Sequence, residues 1–394
     1  MHTMLVSGDL PFAPPWDSQT FDRRWSMLEA GSPRLAWLCE GPDYGTFRYR
    51  VYNMVEAVSS SRPGGCGAAW FREAEIEWLI PRLSGIDVLI LSRVRYSARV
   101  AHLVTAARAR NVKVLYDCDD LVFDTRYVHL LIEALAQEAP RAQDWDFWFA
   151  MVARNQEAAR LCDGGVATNA ALAARLRDVV GGPVSVLPNF LNRQQQGFSD
   201  ELLSIKAERG FQSHTPICVG YFSGTASHRL DFGVVSAALA RLLARQPDVV
   251  VRIVGFLDHV GPLAAFDARL EHLPLHDWVN LQRLIAEVDV NLVPLHPSVF
   301  TECKSELKYF EAAAVGTWTI ASPSWANRQV CADSRRGRLA VAEDWDDALA
   351  EAVELARSPA RYAELAMANA AWVADQYGWN RFAARIVEAV LDRT

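Results

Sequence analysis

An α/β fold of two doubly wound parallel-sheet domains facing a central cleft is predicted by three observations. The chain has 394 residues, more than one ordinary core holds and a natural size for two domains of roughly 150–200 residues each. From Leu35 onward, short apolar runs alternate with helical stretches, the pattern of a parallel sheet built from strand-helix-strand units. A polar stretch, residues 190–214, interrupts the alternation once, and strand-helix order restarts behind it.

Taken in order, residues 1–33 mix Pro, Gly, Asp and Ser without a sustained period and read as a leader on the surface of the first domain, 1–189. LAWLCE (Leu35 to Glu40) is a strand, followed by the loop GPDYGTFRYR and a helix over YRVYNMVEAV. A strand at Ala68 to Phe71, a helix over Glu73 to Leu83, the strand DVLILS, a helix over Ala98 to Arg110 and the strand VKVLYD, ending at Asp117, continue the winding. Helices over Tyr127 to Ala136 and Trp145 to Leu161, the strand GGVAT, a helix over Asn169 to Val180 and the strand PVSVLPN close it. The second domain, 215–376, opens with PICVGYF and the loop SGTASHRLDF. A helix over Gly233 to Arg245, the strand VVVRIVGF, a helix near Gln282 and the strand VDVNLVPL follow. Then comes FTECKSELKYFEAAAVGTWTIAS: a polar loop, a helix from about Glu306 with Ser305 as N-cap, Gly316 as C-cap, and the strand TWTIAS. The tail is helical, and residues 377–394 form its last helix. Each half is thus Rossmann-like, with ligands expected in the crevice at the carboxyl ends of the strands.

Composition narrows the function. A net charge of -7 offers no basic field for nucleic acid. Seven scattered Cys without a CxxC pair suggest neither a disulfide framework nor a zinc site, and point to a reducing compartment. No charged leader with an apolar run and no stretch of 18 apolar residues occurs, so a cytoplasmic protein is expected, at most resting on a membrane. No GxGxxG follows either leading strand and no GxSxG, P-loop or His-rich metal motif can be assembled, which argues against hydride transfer and triad hydrolysis.

The chemistry that remains is anion binding. Leu307, Phe310 and Ala314 form one apolar stripe on the helix behind Ser305, leaving its N-terminus as a diphosphate seat, with Lys304 beside it as the first choice of catalytic cation and Lys308 one turn in as a second. Glu311, further along, is placed to bind a ribose. Gly220 and Gly224, with Thr225 and Ser227, form a turn where backbone N–H groups can approach a phosphate, and His228 or Arg229 can neutralise charge on a leaving diphosphate. A capped helix with a solvated charged face, and a simple tight turn, are the rival readings. In YDCDDLVFD, Asp117-Cys118-Asp119 has the DxD form of a metal site. Asp119 or Asp120 as contacts to sugar hydroxyls is preferred, with no metal assigned and helix-capping Asp as a further alternative. Gly45, Arg48 and Arg50 lie in the first loop and serve either the cleft or the helix surface. Trp145, Trp148 and Phe149 either pack into the core, the preferred reading, or stack on a glycan or lipid headgroup.

The order of motifs resembles the two-Rossmann-domain glycosyltransferases of the GT-B architecture, and among them the retaining family-4 type. The resemblance runs from Leu35 onward through GYFSGTASHRLDF, NLVPL and FTECKSELKYFEAAAVGTWTIAS. FRYRVYN and VLYDCDDLVFD look like bacterial members linked to surface-polysaccharide synthesis. It implies transfer from a nucleotide-diphosphate sugar, with UDP, GDP and dTDP all open, to a glycan or lipid-linked glycan acceptor. Retention, no obligatory metal or other cofactor, and a final helix that crosses back to the first domain are implied with it. One departure is visible: the family's donor signature has two Glu separated by seven residues, and eight positions before Glu311 stands Cys303, with Glu302 one residue out of register, from where a loop that absorbs one residue would let it reach the sugar as a catalytic candidate. A nucleotide-sugar 2-epimerase and a catalytically silent nucleotide-sugar-binding protein share the architecture and stay as alternatives.

Overall fold

The computed structural model describes residues 8–43, 45–61, 65–135, 140–211, 216–224, 229–257 and 260–391, without the side chains of Leu135 and Arg229. Among the described residues, twelve strands form two six-stranded sheets. In the first, β1 (Arg34–Cys39), β2 (Gly67–Arg72), β3 (Val88–Ser92), β4 (Lys113–Cys118), β5 (Gly164–Ala167) and β6 (Val184–Val186) run in the order β2-β1-β3-β4-β5-β6. In the second, β7 (Ile217–Ser223), β8 (Val249–Gly255), β9 (Leu270–Leu273), β10 (Val290–Val293), β11 (Trp318–Ala321) and β12 (Arg338–Leu339) run β12-β11-β10-β7-β8-β9. All ten pairings are parallel. Strand order reverses between β1 and β3 and between β7 and β10, and each reversal opens a crevice at the strand ends.

Burial explains the strands. β3 reads VLILS and β7 reads ICVGYFS, and every residue of both is buried, as a parallel sheet covered by helices on both faces requires. Gly220, read above as part of a phosphate turn, instead sits inside β7. A Cβ there would come within 2.9 Å of Val288, so its role is close packing, whereas Gly224 stands at the open end of the strand.

Several expectations need correction. The leader contains a helix, Phe21–Glu29, N-capped by Thr20, and it does not rest on the first half alone. The Leu10 N–H donates to Asn280 Oδ1 at 2.8 Å and Asn280 Nδ2 donates back to the Leu10 carbonyl at 3.0 Å. Arg283 pairs with Asp9 at 2.7 Å, and Trp16 packs against both Phe47 and Trp278. The polar stretch between the halves is mostly helix, Arg193–Glu208, N-capped by Asn192. The stretch over Glu73 to Leu83 breaks into short turns, Glu73–Glu75, Ile76–Leu79 and Ile80–Gly85, because Pro81 ends the helical ladder. Helix Arg229–Arg245 starts four residues earlier than predicted. The two short strands β9 and β12 had no periodic signal.

The final helix, Ala383–Leu391, crosses back onto the first half. The Ala389 carbonyl accepts from Ser185 Oγ at 3.0 Å, the Val390 carbonyl from Lys113 Nζ at 3.2 Å, and Phe382 stacks on Phe190 at 4.1 Å. Among the described residues, no helix is long and apolar enough to cross a membrane.

Candidate functional site

The crevice between β7 and β10 is assembled from three chain segments. β7 delivers Tyr221 and Gly224. The helix after it, Arg229–Arg245, delivers the buried carboxylate of Asp231, which accepts from the His296 N–H at 2.9 Å and so ties this helix to the loop after β10. That loop is braced internally: Ser298 caps the short helix Val299–Glu302 in a capping box with Thr301, and Thr301 Oγ1 donates to the His296 carbonyl at 2.6 Å. Beyond it runs helix Leu307–Ala314.

Ser305 is not its N-cap. Glu306 occupies that position, and the Ser305 hydroxyl accepts instead from Asn189 Nδ2 of the first half at 3.2 Å. The helix end therefore presents N–H groups without a side-chain cap, beside two lysines. Lys308 lies over the Tyr221 ring, 5.3 Å from its centroid, and has no carboxylate in ion-pair reach among the described residues. Burial pushes its ammonium down to about 8, Asp231 pulls it back up, and Lys304 adds to the depression. Lys304 points across the cleft, 3.6 Å from Asp120 of the first half, and lies over the Phe300 ring at 4.8 Å.

Glu302 and Glu311 are placed differently from a pair of sugar and ribose ligands. Glu302 faces away, in a half-exposed ion pair with Arg328 at 2.8 Å. Cys303 packs with Phe300 into the first half's core, its backbone carbonyl accepting from Asn169 Nδ2 at 3.0 Å, so a carboxylate at this position would be buried among apolar side chains. Glu311 is buried, and its Oε1 accepts from Arg48 Nη2 at 3.2 Å, from Gln195 Nε2 at 3.1 Å and from the Tyr49 hydroxyl. Two of those partners belong to the first half, so Glu311 ties the halves together.

On the facing side, Asp119 accepts from Arg93 Nη1 at 3.1 Å and from Thr46 Oγ1 at 3.0 Å. Asp117 is turned away from the cleft: both its oxygens accept from the buried guanidinium of Arg50, at 2.9 and 2.8 Å, so the DxD pair is not arranged as a chelate. Arg50 also donates to Leu187 and Asn189 and is a structural clamp, while Gly45 lies in the loop beside Asp43. Among the described residues no cluster of His, Cys, Asp and Glu has the geometry of a metal site. Thr225, Ser227 and His228 lie outside the described residues, as does the side chain of Arg229. Trp148 packs on the first core, but Trp145, Phe147 and Phe149 are 39%, 59% and 50% exposed, contrary to the expected buried stripe.

Asp231 and Tyr221 lie in the GYFSGTASHRLDF stretch, but their part depends on which strands neighbour each other, which the sequence does not show. Arg93 was missed altogether. It ends β3 with φ 49°, a left-handed conformation uncommon for arginine, directly at the β1/β3 reversal.

Residues 216–356 match the family model described as Glycosyl transferases group 1. No curated protein matches the chain by sequence. Among solved structures, HepE of Anabaena in complex with UDP and glucose is similar with TM-score 0.59 and 12% identity, over 90% of this chain and 98% of that one. Sucrose-phosphate synthase from Thermosynechococcus elongatus is similar with TM-score 0.57 and 17% identity, over 89% and 97%. WaaG, a glycosyltransferase involved in lipopolysaccharide biosynthesis, is similar with TM-score 0.56 and 13% identity, over 91% and 99%. The chain therefore has the GT-B fold, and the part that matches the group 1 model, residues 216–356, lies in its second half.

Proposed function

We propose that this glycosyltransferase moves a sugar from a nucleotide-diphosphate donor in the β7/β10 crevice to a glycan or lipid-linked glycan acceptor on the first half. In this reading transfer retains the anomeric configuration, needs no metal, and serves cell-surface polysaccharide synthesis. The observation that carries the proposal is Lys308: a desolvated ammonium with no carboxylate in ion-pair reach among the described residues, at the head of a helix, in the crevice where this fold binds ligands. In the reaction the bond between the anomeric carbon and the diphosphate oxygen breaks, with its electron pair leaving on the phosphate. The acceptor hydroxyl oxygen bonds to the anomeric carbon from the same face, and its proton passes to the departing phosphate. Negative charge thus builds where Lys308, Lys304 and the helix N–H groups stand, which is the electrostatic help such a step needs. Glu311, with Arg48, Tyr49 and Gln195, sets the spacing of the halves. Because solved HepE complexes hold UDP, UDP with glucose, and UDP-glucose, uridine diphosphate sugars are the first donors to test.

The test is turnover by wild type and Lys308→Ala, with the anomeric configuration of the product read by NMR. The expected result is a retained product and a loss of about 10²- to 10³-fold in kcat/KM in the variant. Unchanged turnover in the variant contradicts the site. Release of an epimerised nucleotide sugar from donor alone would replace transfer by epimerisation.

A further inference from the structure

A second pocket lies at the β1/β3 reversal, on the first half. It encloses about 200 Å³ and is lined by Cys39, Glu40, Gly41, Asp43, Thr46, Phe47, Ser92, Arg93, Arg95, Met151 and Asn155. Whole drug-sized ligands fill roughly 300–1,000 Å³, so this space suits a single ring.

Two of its polar groups lack partners among the described residues. Ser92 is 4% exposed and its hydroxyl has no hydrogen-bond partner there; Asn155 is 3% exposed, and while its Nδ2 donates to the Val122 carbonyl at 2.9 Å, its Oδ1 has none. Buried polar atoms are nearly always paired, and an unmade bond costs more than a made one gains. The sequence keeps both at the wall of one pocket, which points to a ligand that satisfies them.

The charges say what kind. Every ionisable group on the wall already has a partner. Arg95 pairs with Glu40, with Nη2 to Oε2 at 2.7 Å. Arg93 pairs with Asp119 at 3.1 Å. The Asp43 carboxylate accepts from the Gly45 and Phe47 N–H groups at 2.7 and 3.2 Å. Glu40, Asp43 and the adjoining Asp119 outnumber the two arginines by one, so an anion finds no spare cation here. A neutral ring with several hydroxyls does fit. Hydroxyls both donate and accept, as Ser92 Oγ and the acceptor Asn155 Oδ1 require, and Phe47 with Met151 offers an apolar wall for its C–H face.

We propose that this pocket takes one uncharged pyranose, the terminal sugar of the acceptor, through Ser92 and Asn155, and discriminates against phosphorylated or carboxylated sugars. The inference rests on the glycosyl-transfer reading above for the ring's identity as acceptor, while the binding itself can be tested alone.

The probes are the methyl glycosides of glucose, galactose, mannose and N-acetylglucosamine, set against glucuronic acid and glucose 6-phosphate. Binding is read by saturation-transfer NMR on the full chain, with UDP, GDP and dTDP titrated on the same samples. At least one neutral glycoside should bind wild type and both anions should not. Ser92→Ala should weaken that glycoside about 5- to 10-fold, the worth of one neutral hydrogen bond, with Tm unchanged or raised because the hydroxyl has nothing to lose in the free protein. Met151→Trp, which fills the pocket, should abolish glycoside binding and leave nucleotide binding intact. Binding of no neutral glycoside, preference for the anionic sugars, or equal affinity in Ser92→Ala overturns the proposal. If glycosides bind as expected and no nucleotide does, the pocket stands and the donor reading fails.

Discussion

At the scale of single residues the decisive feature is how few charges in the cleft are free among the described residues. Lys304 answers Asp120, Glu302 answers Arg328, and Glu311 is held by three donors. Lys308 alone of these combines desolvation with an open coordination sphere, and its behaviour with pH follows. Its free ammonium titrates at about 8, and a bound diphosphate raises that value. Donor affinity is therefore full below pH 8 and falls about tenfold per unit above it, until the value in the complex is reached. Titration calorimetry from pH 6.5 to 9.5 should show this slope in wild type and none in Lys308→Ala. The same desolvation predicts that Lys308→Met, which removes a costly charge and keeps the packing, raises Tm by about 2–4 °C, as roughly 1 kcal/mol does in a domain of this size, while lowering kcat/KM by about 10²- to 10³-fold, as in Lys308→Ala. An ordinary surface lysine would show neither effect. The sequence placed Lys304 and Lys308 together and favoured Lys304, but could not show that Lys304 is the one neutralised, because Asp120 lies far away along the chain and only the fold brings it near.

Elements explain why some readings transferred directly and others did not. Buried parallel strands announce themselves as apolar runs, so β1 to β8, β10 and β11 were legible, whereas the two-residue β12 and β9, whose four residues read LEHL, carry too little apolar pattern to show. The Arg48–Tyr52 turn is a π-helical segment, a geometry with no sequence period of its own. It turns Arg50 inward to Asp117 and Arg48 toward Glu311. Reading YRVYNMVEAV as one helix could not show that. The Arg50–Asp117 pair is fully buried and joins this turn to β4. Arg50→Ala leaves Asp117 buried without its partner and should cost about 3–5 kcal/mol in urea unfolding. A smaller loss than 1 kcal/mol would mean that the turn is held by its packing and not by this pair.

For the whole molecule, the two halves meet through more contacts than a flexible linker would give. The Glu311 network, Asn169 on the 303–304 backbone, the leader on helix Trp278–Ala286 and the returning C-terminal helix all cross between them. The leader was the least legible of these, since its work is done by single hydrogen bonds from Leu10 and ring contacts from Phe12 and Trp16, not by a periodic pattern. Deleting residues 1–16 should lower Tm and raise the donor KM at unchanged donor-site chemistry, measured by thermal unfolding and steady-state kinetics; wild-type values would assign the leader no part in holding the cleft. The central claim, that the β7/β10 crevice holds a nucleotide diphosphate on Lys308, is tested most directly by titrating UDP, GDP and dTDP into wild type and Lys308→Ala at pH 7. The account predicts that one of them binds wild type and binds the variant at least about tenfold more weakly, the worth of one charge-assisted contact; binding of none of them, or equal affinity in the variant, contradicts it.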